Sequence, residues 1–214
     1  MKLHLEILDQ PRKECFLKLA AFKKFGYLAG GTALALQLKH RLSCDFDIFC
    51  PRLLTKELLL KVKKVFTIKE VLLNSEDELT FIASSGVKIS FIYYPFGLNH
   101  YRLKNRLYLD ILNTRGVALT KAYVLNRRNS WRDYLDLYFI IQRGKISLKA
   151  IIKEARAVYQ SMFNAKLFLG QLLYTKDIVQ AEIGQTKFLK EKVGLKQVKD
   201  FFRRQIDRYL NSMK

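Results

Sequence analysis

The sequence predicts an α+β protein, with a mixed sheet and flanking helices over residues 1–113 followed by a C-terminal helical domain over residues 114–214. Three observations predict it. Runs with strand-like alternation are confined to the first part, helical periodicity dominates after Thr114, and a Gly-Gly turn links a short strand to a helix near the start. With 214 residues, half of them apolar, the chain is long enough to bury a sizeable core.

Taken in order, Cys15 to Phe25 has helical spacing, and Gly26 ends that helix before a strand at Tyr27 to Ala29. Gly30 and Gly31 permit a tight turn, and Thr32 is placed to cap the next helix, whose apolar face runs through Leu34, Leu36 and Leu38. A strand from Cys44 to Phe49 follows, then a helix from Thr55 to Val65. Strand-like runs come next at Val71 to Leu73, Leu79 to Ala83 and Val87 to Tyr93, the last two joined in a hairpin at Gly86. Gly97 to Arg106 reads as a connecting loop and Leu107 to Leu112 as one more strand. Helices are expected at Val117 to Leu125, Trp131 to Ile141, from Ser147 as N-cap through Tyr159, at Ala165 to Tyr174, and at Val198 to Leu210.

The charge is lopsided. Lys and Arg number 39 against 19 Asp and Glu, a formal net charge of +20, which is far beyond what solubility requires and predicts a polyanionic partner, nucleic acid first. From Arg115 onward there are 21 Lys+Arg and 8 Asp+Glu, so the helical part holds most of the excess. No apolar run approaches the roughly 20 residues needed to span a bilayer. The charged N-terminus MKLHLEILDQPRKE is unlike a signal peptide, so no membrane association and a cytoplasmic location are expected. Cys15, Cys44 and Cys50 lack paired spacing, and His4, His40 and His100 are scattered, which argues against a disulfide framework and a zinc site.

The chemistry concentrates in YLAGGTALALQLKHRLSCDFDIFC, residues 27–50. In a strand, Asp45 and Asp47 project from one face while Phe46 and Ile48 enter the apolar side. Two carboxylates so close repel unless a cation joins them, and paired carboxylates of this kind hold Mg2+ on substrate phosphates. Gly30-Gly31 opening a helix offers free backbone N–H groups to an anion. Alone, either feature has an ordinary explanation, a flexible turn or solvent-facing strand residues; together they favour a metal and triphosphate site. Arg41 could contact a phosphate and Ser43 could offer it a hydroxyl, with a solvated loop and a strand start as equal alternatives. Lys121, inside the apolar helix GVALTKAYVL, must find an anion or snorkel to water, and on its own the sequence favours snorkelling. Asp133 and Asp136 lie three apart on a helix, on adjoining positions of one surface. Asp133 reads as first-turn helix charge, and Asp136 as an orienting group for Lys121 or an attacking hydroxyl, or as a structural salt bridge. Tyr93, Tyr94 and Phe96 could stack bases, and the basic final helix, with Lys196, Lys199, Arg203, Arg204 and Arg208, could track a phosphate backbone.

The ordered pieces AGGTALALQLKHRLSCDFDIF, ALTKAYVLNRR and RDYLDLYFI resemble the nucleotidyltransferase family of the AbiEii/AbiGii abortive-infection toxins, over roughly Phe25 to Ile141. The resemblance implies a DNA polymerase β-like nucleotidyltransferase core followed by a helical domain. It also implies an NTP substrate with Mg2+ (or Mn2+), an RNA acceptor such as the tRNA 3′ end, and neutralisation by a cognate antitoxin. By position, Gly30, Gly31 and Thr32 match the triphosphate-binding turn, and Asp45 and Asp47 the metal-binding pair. Lys121 matches the lysine on the first helix after the core, and Asp136, with Asp133 beside it, the acidic motif that follows. A third carboxylate common in this superfamily is replaced by Ser90, so that either another acid such as Asp110 substitutes, or the site works with two strand carboxylates, or activity is reduced. Arg132 stands where a lysine is usual. The expected function is therefore a metal-dependent nucleotidyltransferase of toxin type, with a catalytically lapsed RNA- or antitoxin-binding protein as the alternative that Ser90 motivates.

Overall fold

The computed structural model describes residues 3–213, which divide into two compact units, residues 3–113 and 114–213. In the first unit, helix α1 (Gln10–Lys18) begins five residues before the expected start, because Asp9 accepts a hydrogen bond from Arg12 N at 3.1 Å and Pro11 sits in the first turn. It tightens into a 3-10 turn over Leu19–Phe22. The sheet has seven strands: β1 (Tyr27–Ala29), β2 (Phe46–Cys50), β3 (Ile68–Asn74), β4 (Glu78–Ala83), β5 (Lys88–Tyr93), β6 (Arg102–Leu103) and β7 (Ile111–Leu112). Their spatial order is β3-β4-β5-β2-β1-β7-β6, and it is mixed, as expected: β2 runs parallel to β5 and β1 to β7, while the other pairs are antiparallel.

Alternation along β2 divides the sheet into two chemistries. Phe46, Ile48 and Cys50 are buried, and Phe46 and Ile48 register with Ile89 and Phe91 of β5. Phe16 and Phe22 pack against this apolar face, with ring centroids 6.2 Å from Phe46 and 5.0 Å from Phe91. The other face carries Asp47, Ser90 of β5 and Thr80 of β4 in lateral register. Helices α2 (Gly30–Leu38) and α3 (Lys56–Val65) complete the unit.

The expected hairpin forms at Gly86, whose φ of +80 suits glycine; its N–H donates to the Ala83 carbonyl at 2.8 Å. Strand β3 is longer than Val71 to Leu73. The expected loop after Gly97 holds a 3-10 turn at Asn99–Tyr101 and strand β6, whereas the strand expected from Leu107 shrinks to Ile111–Leu112. The shortening has a local cause. Asn105 Oδ1 accepts from the backbone N–H groups of Leu107 and Tyr108, which folds that stretch into a turn.

The second unit is helical: α4 (Thr114–Leu125), α5 (Trp131–Gln142), α6 (Leu148–Tyr159), α7 (Ala165–Leu173), α8 (Gln180–Gln185) and α9 (Leu195–Asn211). Ser147 and Asn164 cap α6 and α7 through Ala150 N and Leu167 N. Helix α8 was not expected from the sequence. It holds Glu182, whose carboxylate accepts from Ser130 Oγ and from Trp131 N at the start of α5, so a residue 51 positions away supplies the cap. In α9, Val198, Phe202 and Ile206 are buried at every fourth position, leaving Lys196, Arg203, Arg204 and Arg208 on the exposed side. No helix among the described residues is long and apolar enough to cross a membrane.

Burial raises the Cys50 thiol from 9.0 to about 12 and the Tyr27 phenol from 10.0 to about 12. Both groups therefore stay protonated in the fold at pH values where the unfolded chain has released them. Their contribution is complete below pH 9 and is lost as pH rises from there toward about 12. Denaturant melts at increasing pH should show stability falling across that window, and Cys50→Val should make the fall shallower.

Candidate active site

The site begins at the junction of β1 and α2. Gly30 has φ +66, and a Cβ placed there would overlap the Asp47 carboxylate. A Cβ on Gly31 would sit 2.6 Å from Arg41 Nη2 and 2.9 Å from Ser43 Oγ. The two glycines are thus the space in which Asp47, Arg41 and Ser43 approach the first turn of α2, and the structure brings all five residues together. Antiparallel pairing fixes this, because Ala29 registers with Asp47 across β1 and β2. Arg41 is 97% buried, with Nη1 donating to the Leu42 carbonyl at 3.0 Å, so its guanidinium is held by the fold and is not a solvated loop charge.

Two details differ from expectation. Thr32 is the third residue of α2, not its cap; Ala29 is the N-cap residue, and the Thr32 hydroxyl donates to the Asp45 backbone carbonyl. Asp45 lies just before β2 instead of within it, so this hydroxyl tie, and not the ladder, positions its backbone. The Asp45 carboxylate is half-exposed and lies 3.5 Å from Lys88 Nζ. Lys88 already places one cation at the carboxylate. Cys44, directly before it, is exposed.

Ser90, the lateral neighbour of Asp47 on β5, is buried, and its hydroxyl lies 2.8 Å from Thr80 Oγ1, which donates to Glu78 Oε1 at 2.6 Å. Asp110 is committed elsewhere: Oδ2 accepts from Arg102 at 2.7 Å and Oδ1 from Asn105 N at 3.1 Å. Among the described residues no group of three or more His, Cys, Asp or Glu is placed to hold an ion. Two carboxylates of this region, Asp45 before β2 and Asp47 within it, are the acidic side chains nearest the glycine turn in sequence and register. That donor set fits Mg2+, which takes one or two carboxylates and completes its shell with phosphate oxygens and water.

Within the second unit Lys121, Asp133 and Asp136 form one cluster. Lys121 is 8% exposed, Asp133 1% and Asp136 0%. The ammonium lies 2.6 Å from Asp133 Oδ1 and 2.9 Å from Asp136 Oδ2, and Arg128 Nε lies 3.2 Å from Asp133 Oδ2. The snorkelling favoured for Lys121 does not occur, because α5 presents both carboxylates within reach of α4. Asp133 is in the first turn of α5, as read, but its burial and two cationic partners go beyond a helix-end effect. Tyr94 stacks on Phe49 with centroids 4.1 Å apart and meets Phe96 edge-on, which is packing within the unit.

Gly30→Ala should cost about 1–2 kcal/mol from the left-handed backbone alone. It should also displace Asp47. Thermal melts on this variant should show a lower midpoint than the unsubstituted chain.

The fold is that of nucleotidyltransferases. Over 97% of this chain and 99% of theirs, the coordinates align with a Helicobacter pylori protein provisionally described as a nucleotidyltransferase, with TM-score 0.60 and 14% identity. They also align with MenT4, a nucleotidyltransferase toxin of Mycobacterium tuberculosis, over 91% of this chain and 80% of that one, with TM-score 0.58 and 13% identity. In sequence, an uncharacterized protein of Aquifex aeolicus is 29% identical over 189 residues, covering 87% of this chain and 88% of that protein. No protein-family model matches the chain.

Proposed function

We propose that this chain is a metal-dependent nucleotidyltransferase that moves a nucleoside monophosphate from an NTP to RNA, the tRNA 3′ end being the acceptor class, and that it is the cytoplasmic toxin of a toxin–antitoxin or abortive-infection pair of the AbiEii type. The observation that carries this reading is the glycine cradle, in which Asp47, Arg41 and Ser43 all abut Gly30 and Gly31 at the start of α2. Backbone N–H groups there face an anion, Arg41 adds a buried positive charge and Ser43 a hydroxyl donor. Asp45 and Asp47 would hold Mg2+, which when bound neutralises phosphate charge. Catalysis then rests on alignment of the α-phosphate for in-line attack by the RNA hydroxyl and on charge neutralisation, with pyrophosphate leaving. The exposed cations of α9 suit the RNA backbone, and likeness to a toxin at the level of fold supports the toxin reading.

The test is incubation of the chain with total tRNA, each labelled NTP and Mg2+ or Mn2+. Label should enter RNA with one or more nucleotides; no incorporation with any of the four would sink the assignment. A second reading, a lapsed enzyme that binds RNA or an antitoxin, is favoured by Ser90, whose hydroxyl is engaged with Thr80 beside Asp47. Calorimetry separates the two, since a binding-only protein takes up RNA with steep salt dependence and shows no metal-linked nucleotide binding.

A further inference from the structure

Strand β3 forms one free edge of the seven-stranded sheet, and six of its seven residues are exposed. Val71, Leu72 and Leu73 are exposed at 45%, 47% and 46%, three consecutive large apolar residues on a sheet edge. Folded proteins rarely leave such an edge unguarded, because its outward backbone groups invite another strand. The charges around it are ordered along the strand. Lys63 and Lys64 share with Thr67, Ile68 and Val71 the wall of a cavity of about 450 Å³, and Lys69 follows with exposed Glu70 after it, so three cations against one acid make the beginning of the edge net basic. Its far end is acidic, with exposed Glu76 and Asp77 in the turn to β4. Among the described residues none of Lys63, Lys64, Lys69, Glu76 or Asp77 has an ion-pair partner within its own chain.

We propose that β3 pairs antiparallel with β3 of a second copy of this chain, about a twofold axis at Leu72. An edge that is basic at one end, apolar in the middle and acidic at the other is complementary to itself only when reversed. Centring on Leu72 sets Leu72 against its own copy and Val71 against Leu73. Lys69 then falls opposite Ser75 and diagonal to Asp77, and the basic end meets the acidic turn. The pairing of this strand with β4 shifts register between Ile68 and Glu70 and between Val71 and Leu73, and a second copy carries the same irregularity. The product is one closed, isologous dimer and not a filament, since the other edge of the sheet, β6, plays no part.

Sedimentation velocity on the full chain, with a thiol reductant because Cys44 is exposed, should show a concentration-dependent equilibrium between monomer and dimer. Leu72→Lys places like charges opposite each other and should weaken dimerisation roughly tenfold or more, with unchanged circular dichroism. Glu76→Lys with Asp77→Lys should also weaken it, and adding Lys63→Glu and Lys64→Glu should restore it. A monomer at every concentration overturns the proposal, as does a dimer indifferent to Leu72→Lys, or open-ended aggregation.

Discussion

Asp47→Asn is expected to reduce nucleotidyl transfer by two to three orders of magnitude, roughly the cost of removing one preorganised electrostatic group from a phosphoryl-transfer site. The substitution is close to isosteric. Its amide still fits against Gly30, where a Cβ does not, and β2 keeps its register with β1 and β5. What disappears is the negative charge at the glycine cradle. Arg41 then dominates the local field, which favours the free phosphates of an NTP while removing the group that would orient a cation on them. The loss should therefore appear in kcat, with KM for NTP little changed, and the melting temperature should move by no more than a degree or two. Asp45→Asn should do less harm, because Asp45 stands outside the strand, half in water, and shares its charge with Lys88. Steady-state kinetics on the two variants check the order; an unaltered rate in Asp47→Asn would remove the cradle from the chemistry.

The second large effect belongs to the helical unit. Lys121→Met leaves Asp133 and Asp136 buried without the ammonium between them, and breaking a buried ionic cluster in this way costs about 3–5 kcal/mol. Arg128 offsets part of this for Asp133, being 3.2 Å away. Asp136 is wholly buried and has more to lose. Combining Lys121→Met with Asp136→Leu and Asp133→Asn should recover much of the deficit, since matched apolar volume often replaces a buried ion pair at little cost. Chemical denaturation of the single and triple variants measures this. A role for the Lys121, Asp133 and Asp136 cluster in transfer would show as transfer lost from the triple variant despite its restored fold.

Much of the architecture was legible because local periodicity carries it. The alternation Phe46, Asp47, Ile48, Phe49 placed β2 within a residue or two, and Gly86 marked the hairpin. The start of α1 was also written in the chain, as Asp9 followed by Pro11, a capping signal that the apolar spacing from Cys15 outweighed. What the sequence could not supply were partners distant along the chain. Thr32 looks like a cap, and only the fold shows its hydroxyl on the Asp45 carbonyl. Lys121 looks like a snorkelling lysine until α5 sets two carboxylates beside it. Glu182 sits in a stretch with weak periodicity, so neither α8 nor its capping of α5 could be read in advance. Arg41 and Ser43 were as well explained by a loop as by a phosphate site, and only the fold shows that both lie against Gly31.

Of the three sulfhydryls, Cys15 and Cys50 are enclosed, and burial holds that of Cys50 in its unreactive protonated form. Cys44 stands open to solvent one residue before Asp45, so a maleimide dye should attach there selectively without mutagenesis, giving an optical reporter beside the cradle through which ligand arrival can be timed.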